Sequence, residues 1–334
     1  MNAWFSLFVS LLAVIVLVVI SWLGVKTVGL ESLFGVVIPY LAIAVFVLGI
    51  IYRVVEWAKI PVPFRIPTTC GQGKSLPWIK ANNLEAPYNT WGVIGRMALE
   101  VLLFRSLFRN TKVELREGPK ATYASAKWLW LAGILFHYSF LTIVIRHFRF
   151  FLEPVPGVVE LISSVDGFFQ ILVPTIFITD IAFLVAVTYL FLRRVGIPQL
   201  RYLSLPADYF PLFLILGIGI TGLLMRTIWK VDLLGVKGLA LGLVTFHPAT
   251  PAGIDPIFYV HLFLVCVLMV YFPFSKLMHA PGVFLSPTRN LPNDNRMRRH
   301  INPWNYPVKV HTYEEYEDEF REKMKEVGIP VDKE

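Results

Sequence analysis

Six long apolar stretches constrain this chain more than any other feature of its sequence. A helix of about 20 apolar residues crosses the roughly 30 Å hydrocarbon core of a bilayer. A spanning segment must satisfy its own backbone hydrogen bonds, which favours helices. The sequence therefore predicts an all-α integral membrane protein with six transmembrane helices. The stretches are residues 4–23, 33–55, 128–148, 168–192, 209–225 and 257–277.

The stretches divide the chain into five expected segments. The first has no basic residue before it and no cleavage-site pattern after it, so we expect a retained helix and not a signal peptide. Pro39 and Pro174 lie inside two stretches and are expected to kink those helices. The segments are an extra N-terminal transmembrane helix (1–32), a second helix (33–57), a cytoplasmic loop with an amphipathic helix (58–127), four transmembrane helices (128–280) and a cytoplasmic tail (281–334).

Composition and charge fit this topology. The chain is 56% hydrophobic and 16% charged, which is outside ordinary soluble composition. Basic residues concentrate in residues 58–127, in the loop around Arg193 and in the tail, whereas the opposite loops carry Glu153, Asp166 and Asp232. The positive-inside rule predicts a multi-pass protein of the cytoplasmic membrane with both termini in the cytoplasm. The net charge of +8 then reflects topology, and we expect a lipid bilayer and no nucleic acid as partner.

Four histidines lie at two spacings in or beside these stretches. His137 and His147 are ten residues apart, and His261 and His279 are eighteen apart. In continuous helices the first two are separated by about 15 Å and 80° of rotation, and the other two by about 27 Å with almost no rotation. If the helices are antiparallel, His137 faces His279 and His147 faces His261. Two facing imidazoles at two depths are the iron ligands that two stacked haems b require.

A simpler interpretation exists for each histidine alone. One histidine in a membrane helix is more often a hydrogen-bonded polar residue than a metal ligand, so the prediction depends on the common register of all four. The remaining histidines, His247, His300 and His311, do not fit that register. A haem-free transporter or a plain membrane anchor is the alternative of a different class. Transporters usually show inverted repeats or broken helices with midplane ionisable groups, and the sequence shows neither.

Two arginines on the outer side of the membrane are candidate partners for a propionate of the outer haem. Arg146 adjoins His147, and Arg226 lies one turn inside the end of the fifth stretch. Arginine offers a bidentate fork to a carboxylate. Snorkelling at a helix end is the equally simple alternative. Phe148, Arg149 and Gln170 belong to the same outer end, where we expect quinone chemistry.

The polar regions contain three further features. Residues 93–109 have the pattern of an in-plane amphipathic helix. Thr312 and Glu315 match a capping box for a helix through about Val327. Cys70 lies in the polar loop and Cys266 in an apolar stretch, so the two cysteines are not expected to build an iron–sulfur site. Any such cluster is expected on another subunit.

The histidine spacing resembles that of the gamma subunit of respiratory nitrate reductase, a di-haem cytochrome b that exchanges electrons with quinones. The likeness covers roughly residues 33–279, and the family's crossed ligand pairing implies the pairs His137–His279 and His147–His261. The extra first helix, the long loop and the tail depart from that pattern. Together with residues 68–80 and 105–110 they are similar to the DsrM-type subunit of the sulfite-reduction-associated DsrMKJOP complex, and to the related Hme complex of sulfate-reducing archaea.

The resemblance implies a function and partners. The chain would transfer electrons between the menaquinone pool and a cytoplasmic, heterodisulfide-reductase-like iron–sulfur subunit through two haems b, in dissimilatory sulfite reduction. A periplasmic cytochrome c, a ferredoxin-like protein and a second membrane subunit are further implied partners. The cytochrome b subunit of a heterodisulfide reductase or a nitrate reductase-like complex is the alternative of the same class.

Overall fold

The computed structural model describes residues 3–61, 73–116, 118, 120–167, 176–294 and 310–333. Cys70, Pro174, Gln170 and His300 therefore lie outside the described residues. The elements in chain order are α1 (Ala3–Val28), a π-helical turn (Leu33–Val37), α2 (Ile38–Lys59), α3 (Thr90–Leu103), α4 (Arg105–Arg109), β1 (Thr111–Arg116), β2 (Lys120–Ser125), α5 (Lys127–Phe151), α6 (Gly157–Asp166), α7 (Ile178–Gly196), α8 (Pro198–Leu203), α9 (Pro206–Thr227), α10 (Leu233–Val244), α11 (Pro256–Tyr271), two 3₁₀ turns (Phe272–Phe274 and Lys276–Met278), α12 (His279–Leu285), α13 (Pro287–Asn290) and α14 (Tyr313–Glu326).

Five of the described helical segments are long and apolar enough to cross a membrane, which confirms the all-α membrane class. They are Trp4–Val28, Leu33–Lys59, Lys127–Phe151, Pro206–Thr227 and Pro256–Phe274. The fourth predicted stretch, residues 168–192, is described from residue 176 and forms α7, whose Asp180, Arg193 and Arg194 make it the most charged of the long helices. The count of six crossings stays a prediction.

The long helices form one bundle around small apolar cores. α11 packs against α1, α2 and α9, while α5 packs against α7 and α10. Val14, Leu214, Val260 and Leu264 bury each other where α1, α9 and α11 meet. Apolar side chains on the outer faces stay exposed, as in Leu48 (65%), which suits contact with lipid. The described parts of α5 and α11 share no extended packing face and meet through individual side chains, among them His147 and His261.

The last apolar stretch is not one continuous helix, which corrects the geometry predicted from the 18-residue spacing. α11 ends at Tyr271, and two 3₁₀ turns separate it from α12, which begins at His279. Pro273 lacks a backbone N–H, and Ser275 caps the next turn by accepting a hydrogen bond from the Leu277 N–H. The distance and the rotation between His261 and His279 therefore cannot be calculated from the geometry of a single helix.

The segment between α2 and α5 is helical only in part. The amphipathic helix expected at residues 93–109 is divided into α3 and α4 by Phe104, whose φ of 48° lies in the left-handed region. Trp130 and Tyr138 of α5 donate hydrogen bonds to the last carbonyls of α3, at Leu103 and Leu102. A two-stranded antiparallel hairpin, β1 and β2, follows and was not predicted.

The tail contacts the loop through α13 and then forms its own helix. Arg289 forms an ion pair with Glu100 of α3, and the Asn293 N–H donates to the Pro87 carbonyl. α14 begins after Thr312, and both hydrogen bonds of the predicted capping box are present, which confirms this helix. Met324 of α14 is buried, whereas Val327, which follows the helix, is exposed.

Candidate functional site

The inner pair, His137 and His279, lies at the end of the bundle that carries α3 and α12. His137 is on α5, and His279 is the first residue of α12. The centroids of their imidazole rings are 5.9 Å apart, and the ring planes are inclined by 83°. Phe104 and Phe136 each place a ring edge against His137, with centroids 5.0 Å away.

The outer pair, His147 and His261, lies toward the opposite end of the bundle. Its members belong to α5 and α11. Their ring centroids are 6.5 Å apart and their planes are inclined by only 15°. The structure thus brings together the two pairs that the sequence spacing predicts, although the second ligand-bearing segment is broken. The inner and outer names follow the orientation predicted from the basic residues.

The distance between the ring centroids in each histidine pair fits a metal ion bound between the two imidazoles. With metal–nitrogen bonds of about 2 Å, two axial imidazoles on one iron have centroids about 6 Å apart. Both pairs lie close to that value. Haem is a group whose iron takes two such ligands, and the two pairs are the residues that would hold it.

The hydrogen bonds of the four rings leave the same nitrogen for a metal. Nδ1 of His137 is 2.7 Å from the Gly133 carbonyl oxygen, Nδ1 of His147 is 2.7 Å from that of Ile143, and Nδ1 of His279 is 2.9 Å from that of Lys276. A carbonyl oxygen can only accept a hydrogen bond, so each Nδ1 carries the imidazole hydrogen. Each Nε2 is then unprotonated and has a lone pair that can coordinate a metal. His247 has the same type of bond to Thr245 but is not one of the paired histidines.

Nδ1 of His261 also carries the imidazole hydrogen, and its acceptor is a side chain of α9. Thr221 Oγ1 is 3.0 Å from Nδ1 of His261 and 2.7 Å from the Gly217 carbonyl oxygen. The hydroxyl hydrogen goes to that carbonyl, so Oγ1 accepts from the imidazole N–H. Gly222 permits this approach, because a Cβ added there would lie 3.3 Å from Cε1 of His261. Thr221 was not predicted, because its contact with His261 is made between two helices that are distant in sequence.

Arg146 is buried and lies between two carboxylates. Its Nε is 3.1 Å from Oδ2 of Asp166, and its Nη2 contacts Oδ1 of Asp180 at 2.5 Å. The Oδ atoms of Asp166 also accept hydrogen bonds from the backbone N–H and the hydroxyl of Thr179. The charge of Arg146, predicted to meet a propionate, is thus compensated by two acidic side chains of the protein itself. Asp180 was not predicted.

Arg226 and Arg149 belong to the same outer region. The guanidinium carbon of Arg226 lies 4.1 Å from the ring centroid of Phe177, and that of Arg146 lies 3.8 Å from the same centroid. Arg149 stacks over Phe150, whose ring is 6.0 Å from that of His147. A guanidinium group stacked on an aromatic ring keeps its positive charge. The outer pair therefore lies in a cationic and aromatic environment.

A short apolar helix at the outer end was also missed. α10 starts after Asp232, whose carboxylate accepts hydrogen bonds from the N–H groups of Leu234 and Gly235. Val236 of α10 and Ile257 of α11 belong to one buried cluster, against which Phe150 packs. The sequence signal that was overlooked is an acidic N-cap residue, Asp232, followed by twelve mostly apolar residues.

Comparison with known proteins gives two findings. A family model described as the nitrate reductase gamma subunit matches residues 88–296, a range that contains all four histidines. A protein of Archaeoglobus fulgidus named Hdr-like menaquinol oxidoreductase cytochrome b-like subunit is 51% identical over 279 residues, 81% of this chain and 83% of its own. A protein of the same name from Archaeoglobus profundus is 44% identical over 274 residues, 80% of this chain and 81% of its own.

Proposed function

The chain belongs to the nitrate reductase gamma subunit family, and on that premise we propose that it carries electrons through the membrane on two bis-histidine haems b. It would be the cytochrome b subunit of an Hdr-like menaquinol oxidoreductase complex, as the names of its two relatives describe them. The chain covers four fifths of each relative, so the proposal extends to the whole subunit. The family makes a haem-free transporter or a plain anchor the weaker candidate.

One observation carries the proposal. Each of the four imidazoles pairs with a partner about 6 Å away, and each donates its Nδ1 hydrogen to an oxygen of the protein. This hydrogen bond fixes the ring orientation and raises the basicity of Nε2. His137 and His279 would ligate the inner iron, and His147 and His261 the outer iron. When bound, the haems supply reversible one-electron chemistry.

We assign menaquinol oxidation to the outer end, beside His147 and His261. Oxidation of one quinol to a quinone releases two protons and two electrons, and the electrons pass singly to the haems. The outer region offers aromatic surface from Phe150 and Phe177 and polar groups from Arg149 and Asp166. Mostly apolar walls with a few converging polar groups are typical of such a site. Arg226 and Arg146 are both candidates for a haem propionate, and the charge of Arg146 already meets Asp166 and Asp180.

The electron acceptor would be an iron–sulfur subunit on the inner, cytoplasmic side, heterodisulfide-reductase-like as the resemblance implies. Trp78, Trp91 and Tyr123 of the α2–α5 segment each expose about four fifths of their surface. Aromatic residues are enriched at protein interfaces, so this segment is the proposed docking region, with the tail beside it. A role in sulfite reduction, and the cytochrome c, ferredoxin-like and second membrane partners, rest on the DsrM-type resemblance.

The test uses the purified full-length protein. A reduced-minus-oxidised spectrum with a haem determination is expected to give two low-spin haems b per chain, and a menaquinol analogue is expected to reduce them. His147→Ala should abolish fast reduction by the quinol, whereas His137→Ala should leave reduction of the outer haem intact. A protein without haem b would overturn the proposal. Wild-type quinol reduction in His147→Ala would overturn only the placement of the quinone site.

A further inference from the structure

Arg53 is a charged residue inside a helix that is otherwise apolar over most of its length. It belongs to α2, within the apolar segment Leu33–Lys59. Ionisable groups in such segments are costly and usually face the bundle interior, where they serve a function. Arg53 has not entered the function proposed above.

Contacts along one face of α2 give the depth of Arg53. Phe46 stacks edge-on with Phe272, at a centroid distance of 5.5 Å, and a Cβ added to Gly49 would lie 2.7 Å from Pro273. Two turns beyond Gly49, the ring of Trp57 lies 3.6 Å from the Cβ position of Gly282. The two chain segments therefore run side by side in the same direction.

Arg53 lies between these contacts on the same face of α2. It is four residues after Gly49 and four before Trp57, a spacing that keeps side chains on one side of a helix. The matching point on the other segment lies between Pro273 and Gly282, which is where His279 begins α12. Arg53 is thus at the depth of the inner pair.

The guanidinium of Arg53 has an unused donor. Its Nε is buried and has no hydrogen-bond partner among the described residues. Its guanidinium carbon is 5.7 Å from the ring centroid of Trp57, which covers one face of the group. The nearest acidic residue along the helix, Glu56, forms its ion pair with Lys59. A buried donor without a partner is costly, so an anionic group that reaches it gains stability.

We propose that Arg53 binds a propionate carboxylate of the haem ligated by the inner pair. The proposal rests on the function proposed above, since it needs a haem at His279. A carboxylate matches the planar donor fork of arginine. A phospholipid phosphate could also accept hydrogen bonds from this guanidinium. The buried Nε and the Trp57 ring over the guanidinium favour a ligand inside the bundle. Lys59, whose side chain is 68% exposed, is the residue on this helix that is suited to a lipid headgroup.

The test is a redox titration of both haems in purified wild type, Arg53→Gln, Arg53→Lys and the control Lys59→Gln. A nearby cation stabilises the reduced haem, which holds one more electron, so its removal lowers the midpoint potential. Arg53→Gln is expected to lower the potential of the haem that His279→Ala removes, and to leave the other haem unchanged. Arg53→Lys, which keeps the charge and loses the fork, should give a smaller shift in the same direction. Lys59→Gln should shift neither haem.

Other outcomes separate the alternatives. Loss of the inner haem from Arg53→Gln, with the outer haem retained, would also support the proposal. An inner potential that is the same in wild type and both Arg53 variants would overturn it, as would an equal shift of both haems. Less phospholipid bound to Arg53→Gln with unchanged potentials would assign the residue to lipid and overturn the proposal. A wild-type protein without haem b would instead remove the proposed function itself.

Discussion

The inner and outer pairs present the same side chains on different backbones. Both members of the outer pair project from long continuous helices, and their rings are nearly parallel, at 15°. In the inner pair, His279 follows two 3₁₀ turns, and the rings are inclined by 83°. Each of the four rings has an oxygen acceptor at Nδ1, which is a backbone carbonyl for three of them and the Thr221 hydroxyl for His261. The difference shows that backbone geometry and the surrounding charges distinguish the two sites.

The cations beside the two pairs differ in the same way. Arg146, next to the outer pair, is held between Asp166 and Asp180. Arg53, at the depth of the inner pair, forms no ion pair with any described residue, and its Nε, like that of Arg146, is buried without a well-oriented hydrogen bond. At the outer end the protein compensates its own buried charge, whereas at the inner end we infer that the cofactor does so.

Loss of one histidine should remove one haem. We expect His137→Ala and His279→Ala to lose or alter the same haem, and His147→Ala and His261→Ala to alter the other. An iron without one axial ligand becomes five-coordinate and changes its absorption spectrum. Spectra of the four purified variants check this. If His137→Ala resembled His261→Ala, the crossed pairing would be wrong. His247→Ala is the control and should retain both haems.

Removal of Arg146 should destabilise the outer half of the bundle. Arg146→Met leaves the carboxylates of Asp166 and Asp180 without their shared cation, and breaking a buried ion pair costs about 3–5 kcal/mol. The measurement is the thermal unfolding of the purified protein, followed by loss of the haem that His147→Ala removes. The triple variant Arg146→Met, Asp166→Asn, Asp180→Asn should recover part of the stability. A single variant as stable as wild type would contradict the buried network.

The hydroxyl of Thr221 should support the outer haem only. Thr221→Val keeps the shape of the side chain but removes the acceptor for Nδ1 of His261. Loss of such a supporting hydrogen bond lowers metal affinity by roughly tenfold or more. Haem retention during dilution in detergent measures this, with Thr221→Ser as the matched control. Equal loss of both haems, or no loss, would count against the assignment. At the inner pair the acceptors are backbone carbonyls, which no side-chain substitution removes.

The smallest expected effect concerns the contact between the tail and α3. Burial alone would raise the pKa of the Glu100 carboxyl, but hydrogen bonds from Ser106 and the charge of Arg289 hold that pKa below its usual value. A lowered pKa in the folded protein means that the stabilisation is complete above the ordinary value, near 4.5, and is lost as the pH falls through the lowered one. Hydrogen exchange of residues 286–294 should therefore accelerate as the pH is lowered below that range, after correction for the intrinsic rate.

Glu100→Gln is the control for this effect. It removes the titrating group, so the exchange of residues 286–294 should be fast at neutral pH and show no further acid step. The same pH profile in wild type and variant would contradict the role of Glu100. The tail beyond this contact has a separate test: deletion of residues 302–334 should weaken binding of the proposed iron–sulfur partner and leave both haems in place.

The pairing of the histidines could be predicted from the sequence, but the shape of the inner pair could not. His137 and His147 are ten positions apart in one helix, so their separation follows from helix geometry. Beyond Tyr271, Pro273 and the cap at Ser275 break the helix, yet the chain keeps advancing in the same direction and still brings His279 to His137. Depth was therefore predictable, whereas ring orientation depends on dihedral angles that the spacing does not contain.

Other misses have two physical origins. The strand β1 alternates polar and apolar residues, and a glycine follows it at position 118, where the structure has a φ of 74°. Alternation followed by a glycine is the sequence pattern of a hairpin, and it was overlooked in favour of helices. Asp180 and Thr221 could not be found in this way, because their roles depend on contacts between α7 and α5 and between α9 and α11. Sequence periodicity describes one helix at a time, and side chains that join two helices appear only after packing.

The interruption after Tyr271 also bears on how the protein is assembled. Displacing His261 would require α11 to move against α1, α2 and α9. Displacing His279 disturbs a short helix and the bond to the Lys276 carbonyl. If haem binds as proposed, packing of the bundle would position both outer ligands, whereas a movement of the short α12 alone would open the inner pair to a porphyrin. Cofactor loading would then end at the inner site, which is also where exchange with free haem should be fastest.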